Sequence, residues 1–265
     1  MNTAGLPTIR VGTLDVACTV EGPENAPALV LIHGVLADQT AWDAVAARLR
    51  GRFRIVRYGV RGHGGSSAPP APYSLEQLDD DVPPLLDALG LQKVHLAGTS
   101  MGGMIGQQVG IRHGDRLLSL TLANNAAQQG APAAWDQRIE VARRDGIEAL
   151  VEPTVQRWFT PGFLQSQPQE VERVRNMVRG TSVEGYAGCA VAIRNLAQLA
   201  QLSQIRVPTL VIVGSEDHAT PPAAGRDIAA AIPGAQLVSL PAAHQAAIEV
   251  PQAFCDAWLA FVAGL

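Results

Sequence analysis

The chain has 265 residues, 47% of them apolar and 17% charged, a balance that supports a large core and excludes a disordered polymer. Twenty Lys and Arg against 24 Asp and Glu give a formal charge of −4, which excludes the broad basic footprint used for nucleic acid or acidic membranes. No run approaches the roughly 18 consecutive apolar residues of a membrane span. The opening MNTAGLPTIRVGTLDVACTV also lacks a charged region followed by an apolar one, so a soluble, cytoplasmic protein is expected.

As far as Asn124, short apolar runs alternate with amphipathic stretches. Strands are expected over 9–11, 14–20, 28–32, 54–58, 94–98 and 117–123, and helices over 42–49, 75–89 and 101–113. Runs such as ALVLI and VHLAG are apolar on both faces, as strands buried beneath helices on each side should be. The 75–89 stretch opens on Ser74 with Gln77 three residues on, a capping-box pattern, and Gly90 is a natural stop. From Pro132 to about Ala200 no strand is expected, only helical stretches broken at Pro153, Pro161, Pro168 and Gly180. The alternation then resumes with a strand over 209–213, a helix over 223–231, a strand over 236–240 and a helix over 251–263. A helical block of about 70 residues is too long for an ordinary connection. It reads as a cap over the carboxyl edge of a sheet, where open α/β sheets bind ligands. The expected division is a core in two parts, 1–125 and 204–265, with the cap at 126–203.

Cys18, Cys189 and Cys255 lie far apart and form no C-x-x-C pair, so they fit neither a disulfide framework nor a zinc site and read as small buried hydrophobes. Lys93, the only lysine, sits at the start of a strand on a polar step, which argues against Schiff-base chemistry.

The strongest local signal is Gly98-Thr99-Ser100-Met101-Gly102. It follows the strand VHLA and precedes the helix MIGQQVGIRH, the strand–turn–helix setting of a G-x-S-x-G nucleophile elbow. A serine nucleophile needs a base, and the base a carboxylate to orient it, in the chain order Ser, acid, His for this architecture. Beyond the cap, the strand TLVIVG ends in Ser215-Glu216-Asp217 and the strand LVSL ends in Pro241-Ala242-Ala243-His244, so both groups fall on the edge that carries Ser100. Asp217 is preferred to Glu216 for its shorter side chain one residue deeper into the turn. The strand over 117–123 is followed by Asn124 and Asn125, which offer no competing acid. His33, His63, His95, His113 and His218 read as structural. Two oxyanion donors are expected: the backbone N–H of Met101 and that of Val35 in the loop His33-Gly34-Val35-Leu36, each worth about 3 kcal/mol at the transition state. Trp42 reads as packing and the turn Arg61 to Ser66 as loop shape. That turn holds G-x-G without the further glycine of a dinucleotide site.

These residues resemble the α/β-hydrolase superfamily along essentially the whole chain, through H-G at 33–34, RGHGGS at 61–66, GTSMGG at 98–103, GSED at 214–217 and AAH at 242–244. The resemblance implies a mostly parallel eight-stranded sheet with helices on both faces and an inserted helical cap. More narrowly, LANNAAQQGAPAAWDQR, RWFTPGF, EGYAGCAVAI and DHATPPAAGRDIA are similar to the 3-oxoadipate enol-lactone hydrolases of bacterial aromatic-acid degradation. The chain departs from their pattern at His33-Gly34, at Gly59 and at Gln245-Ala246-Ala247. The resemblance implies a small ester or lactone as substrate, carrying a carboxylate, and no metal or organic cofactor. Trp135 and Arg138 stand three apart on an expected cap helix; Arg138 would hold the carboxylate and Trp135 stack over the ring, with Arg157-Trp158 as a less supported pair. Nucleic-acid and membrane partners are not expected, and homo-oligomer formation stays open. A general carboxylesterase, a cofactor-free perhydrolase, a C–C bond hydrolase and a non-turnover receptor would share the same catalytic residues.

Overall fold

Runs that are apolar on both faces organise the fold. In the computed structural model, which describes residues 7–265, strands β1 (Thr8–Val11), β2 (Leu14–Glu21), β3 (Ala28–Ile32), β4 (Arg54–Tyr58), β5 (Val94–Thr99), β6 (Leu117–Ala123), β7 (Thr209–Gly214) and β8 (Gln236–Leu240) form one sheet. The first six residues of the expected N-terminal core segment lie outside the described residues. The strand order is β1-β2-β4-β3-β5-β6-β7-β8; β2 runs antiparallel to both neighbours and every other pair is parallel. All five residues of β3 are buried, and they alternate between two cores: Ala28, Val30 and Ile32 face one, Leu29 and Leu31 the other. This is the period of two expected of a strand covered on both sides.

Helices α1 (Asp43–Leu49), α2 (Leu75–Asp79), α3 (Val82–Ala88) and α4 (Met101–Arg112) connect the first six strands; α10 (Pro222–Ala231), α11 (Ala246–Glu249) and α12 (Pro251–Ala263) accompany the last two. One core packs α1 and α12 on the sheet, with Trp42 edge-on to Phe254 at 5.6 Å and Phe53 edge-on to Trp258 at 4.9 Å. The other core packs α2, α3, α4 and α10. Between β6 and β7 lie α5 (Pro132–Asp145), α6 (Glu148–Trp158), α7 (Pro161–Ser166), α8 (Pro168–Arg179) and α9 (Val183–Arg194), with no strand among them. Cys18, Cys189 and Cys255 are free and buried. No helix among the described residues is long and apolar enough to cross a membrane.

Three boundaries differ from the sequence reading. The 75–89 stretch is two helices, because Pro83 and Pro84 lack the N–H groups that would bond the Asp79 and Asp80 carbonyls and continue α2, and they sit instead in the first turn of α3, where no such bond is needed. The Ser74/Gln77 capping box does form, with both reciprocal bonds present. Pro153 sits inside α6 rather than ending it, since the burial of Leu150, Val151, Thr154, Val155 and Trp158 outweighs one lost backbone bond. The helix before β4 starts as a 3₁₀ turn, Gln39–Trp42, capped by Asp38.

Candidate active site

Among the described residues only three non-glycine residues have left-handed backbone: Leu36 (φ 63°), Ser100 (φ 53°) and Asn124 (φ 47°). Each follows a different central strand, β3, β5 or β6, at its carboxyl end, and strain of this kind costs about 1–3 kcal/mol per residue. They mark one small region of the sheet edge.

Ser100 directly joins β5 to α4, and its N–H donates to the Ala123 carbonyl at 2.9 Å. The turn is tight because α4 lies against β3: a Cβ on Gly102 would overlap the Ile32 carbonyl, and one on Gly34 would stand 3.1 Å from Ser100 Cβ. A hydroxyl is thus held at the start of a twelve-residue helix, beside the backbone of the 33–36 loop.

His244 brings the two other elements to that hydroxyl. Its Nε2 is 3.0 Å from Ser100 Oγ and its Nδ1 2.9 Å from Asp217 Oδ2. An ionised carboxylate only accepts, so Nδ1 carries the hydrogen and Nε2 is left to accept from the serine hydroxyl. Asp217 Oδ1 accepts the N–H groups of Ala219 (2.8 Å) and Thr220 (2.9 Å), and Oδ2 also accepts from the Thr220 hydroxyl (2.8 Å) and the Asn124 amide (3.0 Å). Burial pushes the Asp217 carboxyl up, but His244 and these donors outweigh it and hold its pKa at about 2. Glu216 is exposed, which distinguishes the two acids. A hydroxyl bonded to an imidazole that is itself fixed by a permanently ionised carboxylate is a proton-transfer chain ready for nucleophilic attack.

The loop over 33–36 is built on two imidazoles. His33 donates from Nδ1 to the Gly34 carbonyl (2.7 Å) and accepts the Val60 N–H at Nε2 (3.0 Å). His63 donates from Nδ1 to the Arg61 carbonyl (3.2 Å) and accepts the Leu36 N–H at Nε2 (3.2 Å). The Leu36 amide is therefore taken and the Ala37 amide bonds Gly34, while the Val35 and Met101 amides have no acceptor among the described residues. Burial lowers the His33 pKa to about 4; burial and then His33 lower that of His63 to about 3. Both stay neutral in the folded protein while the unfolded chain binds protons below its ordinary value of 6.5. Stability should therefore fall as the pH drops from there toward 4. The urea midpoint is expected to decline across that window, and less steeply in His63→Gln; a midpoint that stays level to pH 4 would contradict the neutral pair.

A cavity of about 340 Å³ opens on this arrangement, lined by Val35, Ser100 and His244 from the core and by Trp135, Arg138, Thr154, Arg157 and Trp158 from α5 and α6. The Arg138 guanidinium lies 4.7 Å from the Trp135 ring centroid, so one face of that indole is covered by Arg138 rather than free for a ligand. Partial burial and the charge of Arg138 both lower the Arg157 pKa. Neither arginine pairs with a carboxylate among the described residues.

Of the residues singled out from the sequence, Val35, Ser100, Trp135, Arg138, Arg157, Trp158 and His244 line this cavity; Asp217 stands behind His244, and Met101 directly follows Ser100. Asn124, Thr220, His33 and His63 also contribute, and the sequence reading gave none of them that part. Asn124 ends β6 on the same edge as Ser100, and Thr220 stands three residues after Asp217, where a hydroxyl folds back onto a turn carboxylate. Those positions were the available signals. His95, bonded to Ser119 Oγ at 2.8 Å, is structural.

The chain belongs to the α/β hydrolase fold family, whose pattern it matches over residues 27–251. It is 35% identical to 3-oxoadipate enol-lactonase 2 of Acinetobacter baylyi over 233 residues, 88% of this chain and 87% of that one. The crystal structure of the enol-lactonase from Burkholderia xenovorans LB400 is similar with a TM-score of 0.95 and 37% identity, covering 97% of this chain and 100% of that one. That of a hydrolase from Pseudomonas aeruginosa PA01 is similar with a TM-score of 0.94 and 38% identity, over 98% and 99%.

Proposed function

We propose that this chain is a serine hydrolase of carboxylic esters and lactones, and that its substrate is 3-oxoadipate enol-lactone or a lactone of the same anionic class. The observation that carries the reading is the cavity in which the Ser100–His244–Asp217 chain shares one space with two arginines that have no carboxylate partner. The likeness to enol-lactonases supports the lactone, and with it a place in aromatic-acid degradation in the cytoplasm. Helices α5–α9 serve as the cap, 126–203, over a core made of 1–125 and 204–265.

In this mechanism His244 takes the Ser100 proton as Oγ attacks the lactone carbonyl. The tetrahedral oxyanion accepts hydrogen bonds from the Val35 and Met101 N–H groups, preorganised donors that need no rearrangement as charge develops. Collapse expels an enolate, which takes the proton held on His244 Nε2 and ends as a ketone, so ring opening is effectively irreversible and the imidazole is a base again. Water deprotonated by His244 then attacks the acyl-enzyme, and collapse of that intermediate releases the acid as His244 returns the proton to Ser100 Oγ. The substrate carboxylate lies against Arg138, braced by Trp135, with Arg157 as a second positive group.

The test is a hydrolysis series of small anionic lactones and neutral esters of similar size, run with wild type, Arg138→Ala and Arg157→Ala. A charge-assisted hydrogen bond worth about 1.5–3 kcal/mol corresponds to about 10–100-fold in kcat/KM. Losses of that size are expected for the anionic set alone. Equal losses in both sets would make the arginines structural and remove the anionic substrate from the account.

A further inference from the structure

The loop that carries His244 is tied to the inserted helices by one carboxylate. Glu249, the last residue of α11, accepts the Ala243 N–H through Oε2 at 2.9 Å. Through Oε1 it accepts the Thr160 N–H at 3.2 Å and the Thr160 hydroxyl. Thr160 forms the turn between α6 and α7, where its Oγ also accepts the Phe163 N–H that opens α7. A second tie runs alongside: the Gln245 N–H donates to the Trp158 carbonyl at 3.1 Å, and the Trp158 ring stands 6.5 Å from the imidazole. Gln245 is therefore bonded directly to the end of α6, and Ala243 is linked to the α6–α7 turn through Glu249. On the sheet side, the Ala242 carbonyl accepts the Glu216 N–H and the Ala243 carbonyl accepts the Asn124 amide at 3.0 Å, so Glu249 holds the N–H of a residue whose carbonyl is tied to the core.

We propose that Glu249 is a positioning residue for His244: by joining Ala243 to the α6–α7 turn, it fixes the imidazole at hydrogen-bonding distance from Ser100 Oγ and makes the cap and the proton-transfer group one rigid unit. The proposal rests on His244 acting as the base that activates Ser100. The residue type suits the task. Three donors converge on its two oxygens, which an ionised carboxylate satisfies together. An amide has one oxygen, and its NH₂ would face an N–H or a hydroxyl. Aspartate is one methylene too short to span both arms.

The experiment compares Glu249→Gln and Thr160→Val with wild type in three measurements: kcat and KM on the best lactone or ester found, the rate of inactivation by phenylmethylsulfonyl fluoride, and thermal melting. A misplacement of about 1 Å near the reacting atoms costs about 100-fold. Glu249→Gln is expected to lower kcat by about 10–100-fold with KM unchanged within about twofold, and to slow inactivation in the same proportion. Thr160→Val removes the hydroxyl, one of the three donors, and keeps the Thr160 N–H on Oε1, so it should show a smaller loss of the same kind, which keeps the proposal testable if the glutamate variant does not fold. Wild-type kcat and inactivation rates in both variants, measured below melting, would overturn the positioning role even if Tm falls. Failure of the wild-type protein to be labelled at Ser100 would instead count against the serine-hydrolase reading, so the two failures are distinct.

Discussion

Ser100→Ala is expected to lower kcat by about 10⁴–10⁶, because removing the nucleophile of a triad costs nearly as much as removing the whole triad. The fold should survive. Alanine keeps the Cβ, and the Ser100 N–H that bonds the Ala123 carbonyl is a backbone group. Replacement by glycine separates strain from chemistry. At φ 53° and ψ −120° the native residue occupies backbone space suited to glycine, and relief of about 1–3 kcal/mol of strain should give Ser100→Gly a higher Tm than Ser100→Ala while leaving it equally inactive. Hydrolysis by the alanine variant within tenfold of wild type would remove Ser100 from the mechanism.

Asp217→Asn is expected to cost about 10⁴ in kcat, through the tautomer of His244. The Ala219 and Thr220 N–H groups both point at Oδ1, so an asparagine must put its oxygen there. Its NH₂ then falls at the Oδ2 position, facing His244 Nδ1, the Asn124 NH₂ and the Thr220 hydroxyl. Nδ1 becomes an acceptor, the ring hydrogen moves to Nε2, and Nε2 can no longer take the proton of Ser100. Two opposed NH₂ groups in a buried site also predict a lower Tm. Because the native carboxyl has a pKa near 2, below its ordinary value of 3.8, its ionised form contributes stability above the unfolded value, lost only as the pH falls from about 4 toward 2. Asp217 therefore stays charged throughout the range in which an imidazole titrates, and the acid limb of the rate profile belongs to another group. Activity within tenfold of wild type in Asp217→Asn, with melting unchanged, would mean that the carboxylate does not orient the ring.

Much of this site is legible in the chain because strand ends are legible. Runs such as ALVLI, VHLAG and TLVIVG are too apolar for one-sided strands, and parallel strands in alternation with helices put their carboxyl ends on one edge. Ser100, Asp217 and His244 follow three such ends, so their convergence was implied before any coordinate. What supports them was not. Asn124 acts through a side-chain bond to Asp217 that exists only once β6 and β7 are paired in register, and Thr220 through a local fold-back whose partner is fixed only by the conformation of the turn after β7. His63 looks like part of a turn in the sequence, yet its role is to hold the Leu36 amide, a contact 27 residues away. The 75–89 helix was misread because its apolar period runs on through a Pro-Pro step, where missing N–H groups decide instead. Trp135 and Arg138 share a helix face as their spacing requires, but spacing says nothing about the guanidinium lying on the indole.

The central claim, that Ser100 forms an acyl-enzyme, is tested most directly by rapid-quench mass spectrometry on the intact protein mixed with an activated ester such as p-nitrophenyl acetate. The account predicts a mass increase of one acyl group within the first turnover, mapped to the peptide holding Ser100, and decaying at the steady-state rate. Sustained hydrolysis with no adduct, or with the acyl group on any other residue, would contradict it.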